Sequence, residues 1–100
     1  MFTKFRCKDD LGELKNRISG VFIINLRRRD DRRDHMINEM KKLGLPYTFI
    51  DAIDSKKFKG LTPRIAICMS HLKALRLAKY SGLKNVLILE DDIVFSNNIQ

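Results

Sequence analysis

Cysteine and histidine are scarce in this 100-residue chain: there are two of each, and no CxxC pair. That excludes a zinc site built on Cys and His. Cys68 falls among the apolar positions of a helix-like repeat, so a buried free thiol is expected there. Long apolar runs are missing too. Nothing approaches the roughly 18 residues that a bilayer-spanning helix needs. The opening MFTKFRCKDDLGELKNRISG lacks the uninterrupted apolar core of a signal peptide or anchor. The expected setting is therefore reducing and cytoplasmic, with no transmembrane segment. No internal repeat or low-complexity stretch interrupts the chain.

Apolar residues make up 44% of the sequence, enough for one modest core and too many for a disordered chain. The balance of charge is +8, from 20 Lys and Arg against 12 Asp and Glu. Such an excess favours anionic partners: nucleic acid, anionic lipid or phosphorylated small molecules. The densest basic cluster is Arg27, Arg28, Arg29, Arg32 and Arg33, interleaved with Asp30 and Asp31. A ligand-facing group and a solvated helix start are both open readings of it.

Residues 1–20 read as an N-terminal extension in which Leu11, Leu14 and Ile18 suggest a short surface helix ending at Gly20. The run Val21–Leu26 (VFIINL) has the length and β-branching of a buried strand. Asp30 or Asp31 then suits the cap of a helix whose apolar face is Met36, Ile37, Met40 and Leu43, closed by Gly44 and Pro46. Tyr47–Ile50 (YTFI) is a second strand. Ser55–Gly60 (SKKFKG) is a basic loop. Thr62 followed by Pro63 signals a helix start. Ile65, Cys68, Met69, Leu72, Leu75 and Ala78 form its apolar repeat, and Ser81–Gly82 stops it. Met36, Met40 and Met69 are assigned to core packing. Asn85–Leu89 is the third strand. Strands alternating with helices predict an α/β fold, a Rossmann-like parallel sheet over residues 21–100.

The stretch Asn85–Phe95 (NVLILEDDIVF) then poses a question. Three consecutive acids repel one another and resist low dielectric, yet they directly follow a buried strand. A solvated turn is one answer, but Ile93, Val94 and Phe95 resume the apolar pattern. In an open parallel sheet ligands bind beyond the carboxyl ends of the strands. Three segments converge there: Asn25 to Arg29, Asp51 to Asp54, and Glu90 to Asp92. Arginines suit phosphates, and carboxylates suit a hard cation or ribose hydroxyls. A metal-bridged nucleotide diphosphate would satisfy both.

The segments FIINLRRRDDRRDHM and LTPRIAICMSHLKALRLAKYSGLKNVLILEDDIVF closely resemble glycosyltransferase family 25, which includes lipooligosaccharide and collagen-modifying galactosyltransferases. The resemblance runs from about Val21 to Phe95. It implies the N-terminal, sugar-nucleotide half of a GT-A fold. It also implies that Glu90-Asp91-Asp92 matches a DxD-like motif, with Asp92 the first metal ligand and Glu90 the second. The cation would be Mn2+ or Mg2+, and the donor a UDP-sugar, with UDP-galactose leading. By the same resemblance Asn25, Arg29 and Arg33 lie near the nucleotide, and Ser70 and His71 lie on the donor side; Asp51, from its place at the end of the second strand, is a further candidate donor-site acid. Read without the family, Arg33 is equally a solvent-facing side chain, His71 a hydrogen-bonded helix histidine, and Asp51 and Asp54 turn acids.

The expected function is metal-dependent transfer of a sugar, galactose foremost, to a glycan or protein hydroxyl. The rival readings are a non-catalytic nucleotide-binding or assembly module of the same fold, and a basic nucleic-acid-binding protein. Few aromatics lie among the basic residues, which ranks the nucleic-acid reading last and argues against a specific nucleic-acid partner. A response-regulator receiver is demoted because its acidic pair follows the first strand, where this chain has arginines. Family 25 proteins are longer than this chain, so self-association or a missing C-terminal half is expected, and no general base stands out.

Overall fold

The chain alternates strand and helix, as the apolar periodicity implied. The computed structural model describes residues 16–95. Strand β1 spans Gly20–Asn25, β2 spans Thr48–Asp51 and β3 spans Val86–Glu90. Helix α1 is Asp30–Leu43 and α2 is Pro63–Tyr80, with a short 3-10 turn at Ser55–Lys57 between β2 and α2. The three strands are parallel in the order β2-β1-β3. The expected α/β, Rossmann-like parallel sheet is thus present. Each strand sits one residue further along, or one earlier, than the apolar run alone suggested. Apart from Ile18, the helix expected before Gly20 lies almost wholly outside the described residues, as does Cys7.

Alternation along β1 divides the core. Val21 and Ile23 point to one face, where Met36, Met40 and Leu43 of α1 meet Leu89 and Phe95. Phe22 points to the other, where Ala74 and Ala78 of α2 meet Ile50. Both faces of the sheet are covered, the usual condition for parallel strands. The core placement expected for Met36 and Met40 is borne out, since both are buried.

Three local expectations are corrected. Neither Asp30 nor Asp31 caps α1. The N-cap is Arg29, with no side-chain capping bond, and the two acids occupy the first turn instead. There they still face the positive end of the helix dipole. Helix α2 also packs differently from its apolar repeat. The residues turned to the sheet are the small ones, Ala66, Ser70, Ala74 and Ala78, spaced four apart. Small side chains let the helix approach the strands closely. The large ones, Ile65, Met69, Leu72 and Leu75, consequently face outward and are 43–54% exposed. Met69 is therefore not core, and Cys68, on the same outer side, is exposed rather than buried.

The helix ends follow their sequence signals. The Thr62 hydroxyl accepts from the Ile65 N–H at 3.2 Å, with Pro63 in the first turn. Gly44 ends α1 at φ 65°, a left-handed conformation that costs glycine little.

The return to apolar residues after the acids also has its explanation. Residues 91 and 92 form a turn, and Phe95 comes back into the α1-side core at 1% exposure. Its N–H donates to Glu39 Oε1 at 2.7 Å, and His35 Nε2 lies 2.9 Å from the Ile93 carbonyl. Burial pushes the Glu39 carboxyl up. The Lys42 ammonium and the Phe95 N–H outweigh that and hold it below its ordinary value.

Candidate functional site

With β1 central, the chain leaves it toward β2 on one side and returns to β3 on the other. That reversal opens a crevice beyond the carboxyl ends of β1 and β3. The crevice is spanned by side chains whose positions follow from the ends of the strands.

Asn25 closes β1 and is 1% exposed. Its Nδ2 donates to Asp91 Oδ2 at 3.0 Å and to the Arg29 carbonyl at 3.3 Å. Its Oδ1 accepts from Arg33 Nε at 3.2 Å. Asp91 follows β3 directly and is 8% exposed. Its other oxygen accepts from Arg32 Nη1 at 3.3 Å. One buried amide therefore ties the ends of two strands to the first turn of α1, with its donors and acceptor all engaged.

Beside this network lies a cavity of about 290 Å³. Ile24, Leu26 and Ile67 give it an apolar floor and flank. Arg28, Arg32 and Lys56 bring cations to it, and Asp54, Glu90 and Asp91 bring carboxylates. Ser70 and His71 line it from the second and third turns of α2. Arg28 Nε donates to Asp54 Oδ2 at 2.9 Å, and Asp54 Oδ1 caps the 3-10 turn by accepting the Lys56 N–H. The Arg28 guanidinium, with the Lys56 N–H, holds the Asp54 carboxyl below its usual value. Ser70 Oγ accepts the Ile53 N–H at 2.9 Å and donates to the Ala66 carbonyl at 2.7 Å. It pins the β2-to-α2 connection to the helix.

Of the residues singled out in the sequence, the fold brings Ser70, His71 and Glu90 to the cavity, and Asn25 to the network beneath it. Arg29 and Arg33 point elsewhere. Arg29 forms a two-point pair with Asp31, at 2.9 and 2.8 Å. The pair raises the arginine pKa and holds Asp31 well below the carboxylate range. Arg33 reaches Asn25 and lies 5.2 Å from the centre of the Phe49 ring. The arginines that face the cavity are Arg28, in the turn after β1, and Arg32, in the first turn of α1. Asp51 is exposed at the end of β2, where its backbone carbonyl accepts from Lys73 at 2.8 Å. Asp92 is exposed on the turn beyond Asp91 and is not a wall of the cavity. Among the described residues, no three His, Cys, Asp or Glu side chains converge as a metal site.

Sequence reasoning named the 90–92 triplet but not Asp91 within it. The signal was available: Leu87 and Leu89 face α1, so a residue two further on continues inward. Arg28 and Arg32 were in the basic cluster, and only the path of the turn after β1 and the phase of α1 against the sheet select them.

Residues 18–62 match the model of a family described as glycosyltransferase family 25 (LPS biosynthesis protein). The matched span takes in Asn25, the arginine cluster, Asp51 and Asp54, which bears out the resemblance first seen in the motifs. A protein named "Glycosyltransferase 25 family member", from Aedes aegypti, is 28% identical over 111 residues. The alignment covers 88% of this chain and 18% of that protein, so the chain spans under one fifth of its relative's length. No solved structure matches the chain.

Proposed function

For a chain whose residues 18–62 match the model of glycosyltransferase family 25, we propose a donor-binding unit for sugar transfer. The cavity beyond β1 and β3 would take the diphosphate of a nucleotide sugar, a UDP-sugar with galactose as the leading case. The acceptor would be a glycan or protein hydroxyl. One observation carries this reading: cationic Arg28 and Arg32 and acidic Glu90 and Asp91 line the same cavity of about 290 Å³. A ligand that is anionic and metal-bearing at once is complementary to such a wall; one of a single charge sign is not.

The chemistry of the donor set fits a hard divalent cation, Mn2+ or Mg2+, that substrate completes. Such cations are commonly held by one or two carboxylates plus phosphate oxygens and water. Glu90 lines the cavity and Asp92 is exposed just beyond it, so these two would hold the ion. Bound there, it would offset the charge that builds on the leaving diphosphate. The protein's own residues would do the rest. Arg28 and Arg32 meet phosphate oxygens by charge-assisted hydrogen bonds. Asp54 orients Arg28, and Asp91 orients Arg32. Asn25 holds Asp91 in place. His71 stands at the wall as a hydrogen-bonding group toward the donor.

The competing module reading shares the site and differs only in turnover. The nucleic-acid reading loses support because few aromatic side chains lie among the basic residues to stack on bases.

The test is a backbone amide NMR titration with UDP-galactose, with and without Mn2+. Paramagnetic broadening centred on residues 90–92, strengthened by nucleotide and reduced in Asp92→Ala, is the expected result. Unchanged amides at residues 24–28, 52–56 and 90–92 would overturn the donor site. Hydrolysis or transfer of the UDP-sugar would then separate the enzyme from the module.

A further inference from the structure

No acid occurs between Asp54 and Glu90, although that stretch carries eight Lys and Arg residues. The remaining 12 cations balance the 12 acids of the rest of the chain, so the whole +8 excess resides here. Most of the stretch is α2 and the loop leading into it. Helix α2 gives its small residues to the sheet and turns Ile65, Met69, Leu72 and Leu75 outward. Arg76 and Lys79 continue the same outer side toward its far end, with Arg64 near its start. Phe58, 54% exposed, lines a shallow apolar groove together with Met69, and Lys57 and Lys59 flank it in sequence.

We propose that this face of α2 and the Phe58 loop docks on an anionic lipid surface, the helix lying in the plane of the headgroups. A helix apolar on both sides needs cover on both, and the sheet supplies one. The uniform positive charge specifies the other. A second copy would bring its own Arg76 and Lys79 against the first and be repelled. Anionic headgroups instead complement the cations, and the projecting aliphatic side chains sink between them while long basic side chains extend back to the phosphates. Among the described residues no helix is long and apolar enough to cross a membrane, so the contact is in-plane. The donor cavity shares the first turns of α2, through Pro63, Ala66 and Ile67, so docking would hold it close to the lipid surface.

The test is co-sedimentation of the 100-residue chain with vesicles of phosphatidylcholine alone and of phosphatidylcholine with phosphatidylglycerol. Binding to the anionic vesicles that falls with added salt, with little on the neutral ones, is expected. The pair Arg76→Ser and Lys79→Ser should weaken it by about fivefold for each cation removed. The pair Leu72→Ser and Leu75→Ser should abolish it, and should leave the helical circular dichroism and nucleotide binding unchanged, because neither leucine lines the cavity. Three outcomes would overturn the proposal: equal binding to both vesicle types, binding to polyglutamate but to neither vesicle, or a concentration-dependent dimer that Leu72→Ser dissolves. Glu90→Gln, which disables the proposed donor site, should leave vesicle binding intact. The two proposals therefore fail separately.

Discussion

Asn25 and Asp91 are 66 positions apart in sequence and joined by a buried hydrogen bond of 3.0 Å. It bridges the crevice between β1 and β3, so the charged wall of the cavity rests on an uncharged amide beneath it. Replacing Asn25 with Leu keeps the volume and removes the donor. Asp91 would then be left in a buried setting with Arg32 alone. The expected loss is about 1–3 kcal/mol of unfolding free energy, measured as the shift of the urea midpoint at constant m-value. Asn25→Asp should cost more, because it sets a second carboxylate against the first.

Phe95 and Val94 test how far the core extends beyond the acidic turn. Phe95 is 1% exposed and Val94 is 47% exposed. Phe95→Ala should destabilise by about 3–5 kcal/mol through lost burial and the cavity left behind. Val94→Ala should stay within about 0.5 kcal/mol. Thermal melts of the two variants, side by side, would show the contrast. Equal effects would mean that the chain does not return to the core after residue 92.

Glu39 links α1 to the segment after β3, and its folded-state carboxyl lies below the ordinary 4.5. Between its folded and unfolded pKa values the unfolded chain binds the extra proton, so stability rises with pH through that interval. The contribution is complete above the unfolded value and disappears as pH falls through the folded one. Urea unfolding between neutral pH and pH about 3 should therefore show an acid-side loss that Glu39→Gln reduces. Asp54, held down by Arg28 and by the Lys56 N–H, adds a parallel loss that Arg28→Ala should reduce.

Ala74 is fully buried where α2 meets the sheet, at 0% exposure. Ala74→Leu should force the helix off the strands and cost about 1–3 kcal/mol. Leu75→Ala, on the outer side, should change stability little. Denaturant midpoints decide it, and the reverse order would mean that the apolar repeat, rather than the small-residue stripe, faces the sheet.

Cys68 stands on the exposed side of the same helix. In a Cys7→Ser background, its thiol should react with a disulfide reagent in the folded protein about as fast as in denaturant. Protection of several orders of magnitude, the behaviour of a buried thiol, would contradict the orientation of α2.

Much of this protein could be read directly from its residues. The alternation VFIINL, YTFI and NVLIL with two helical repeats determined a parallel α/β sheet, because chain connectivity and strand burial leave few other arrangements. Thr62 with Pro63, and Gly44, determined helix ends by local hydrogen bonding and backbone freedom alone. The motifs also located the acids and arginines at the carboxyl ends of strands. What they could not supply was rotation. Helix α2 is apolar on two sides, so its periodicity permits either side inward, and only the distance at which it packs selected Ala66, Ser70, Ala74 and Ala78 over the larger residues. Five arginines within seven positions are equivalent until the chain is folded; the turn after β1 brings Arg28 to the cavity, and the docking of α1 brings Arg32 there and turns Arg33 away. The choice of Asp91 as the buried acid likewise came from the strand's twofold alternation meeting Asn25. Local chemistry thus set which elements form and where they stop, and the packing of those elements decided which side chains meet.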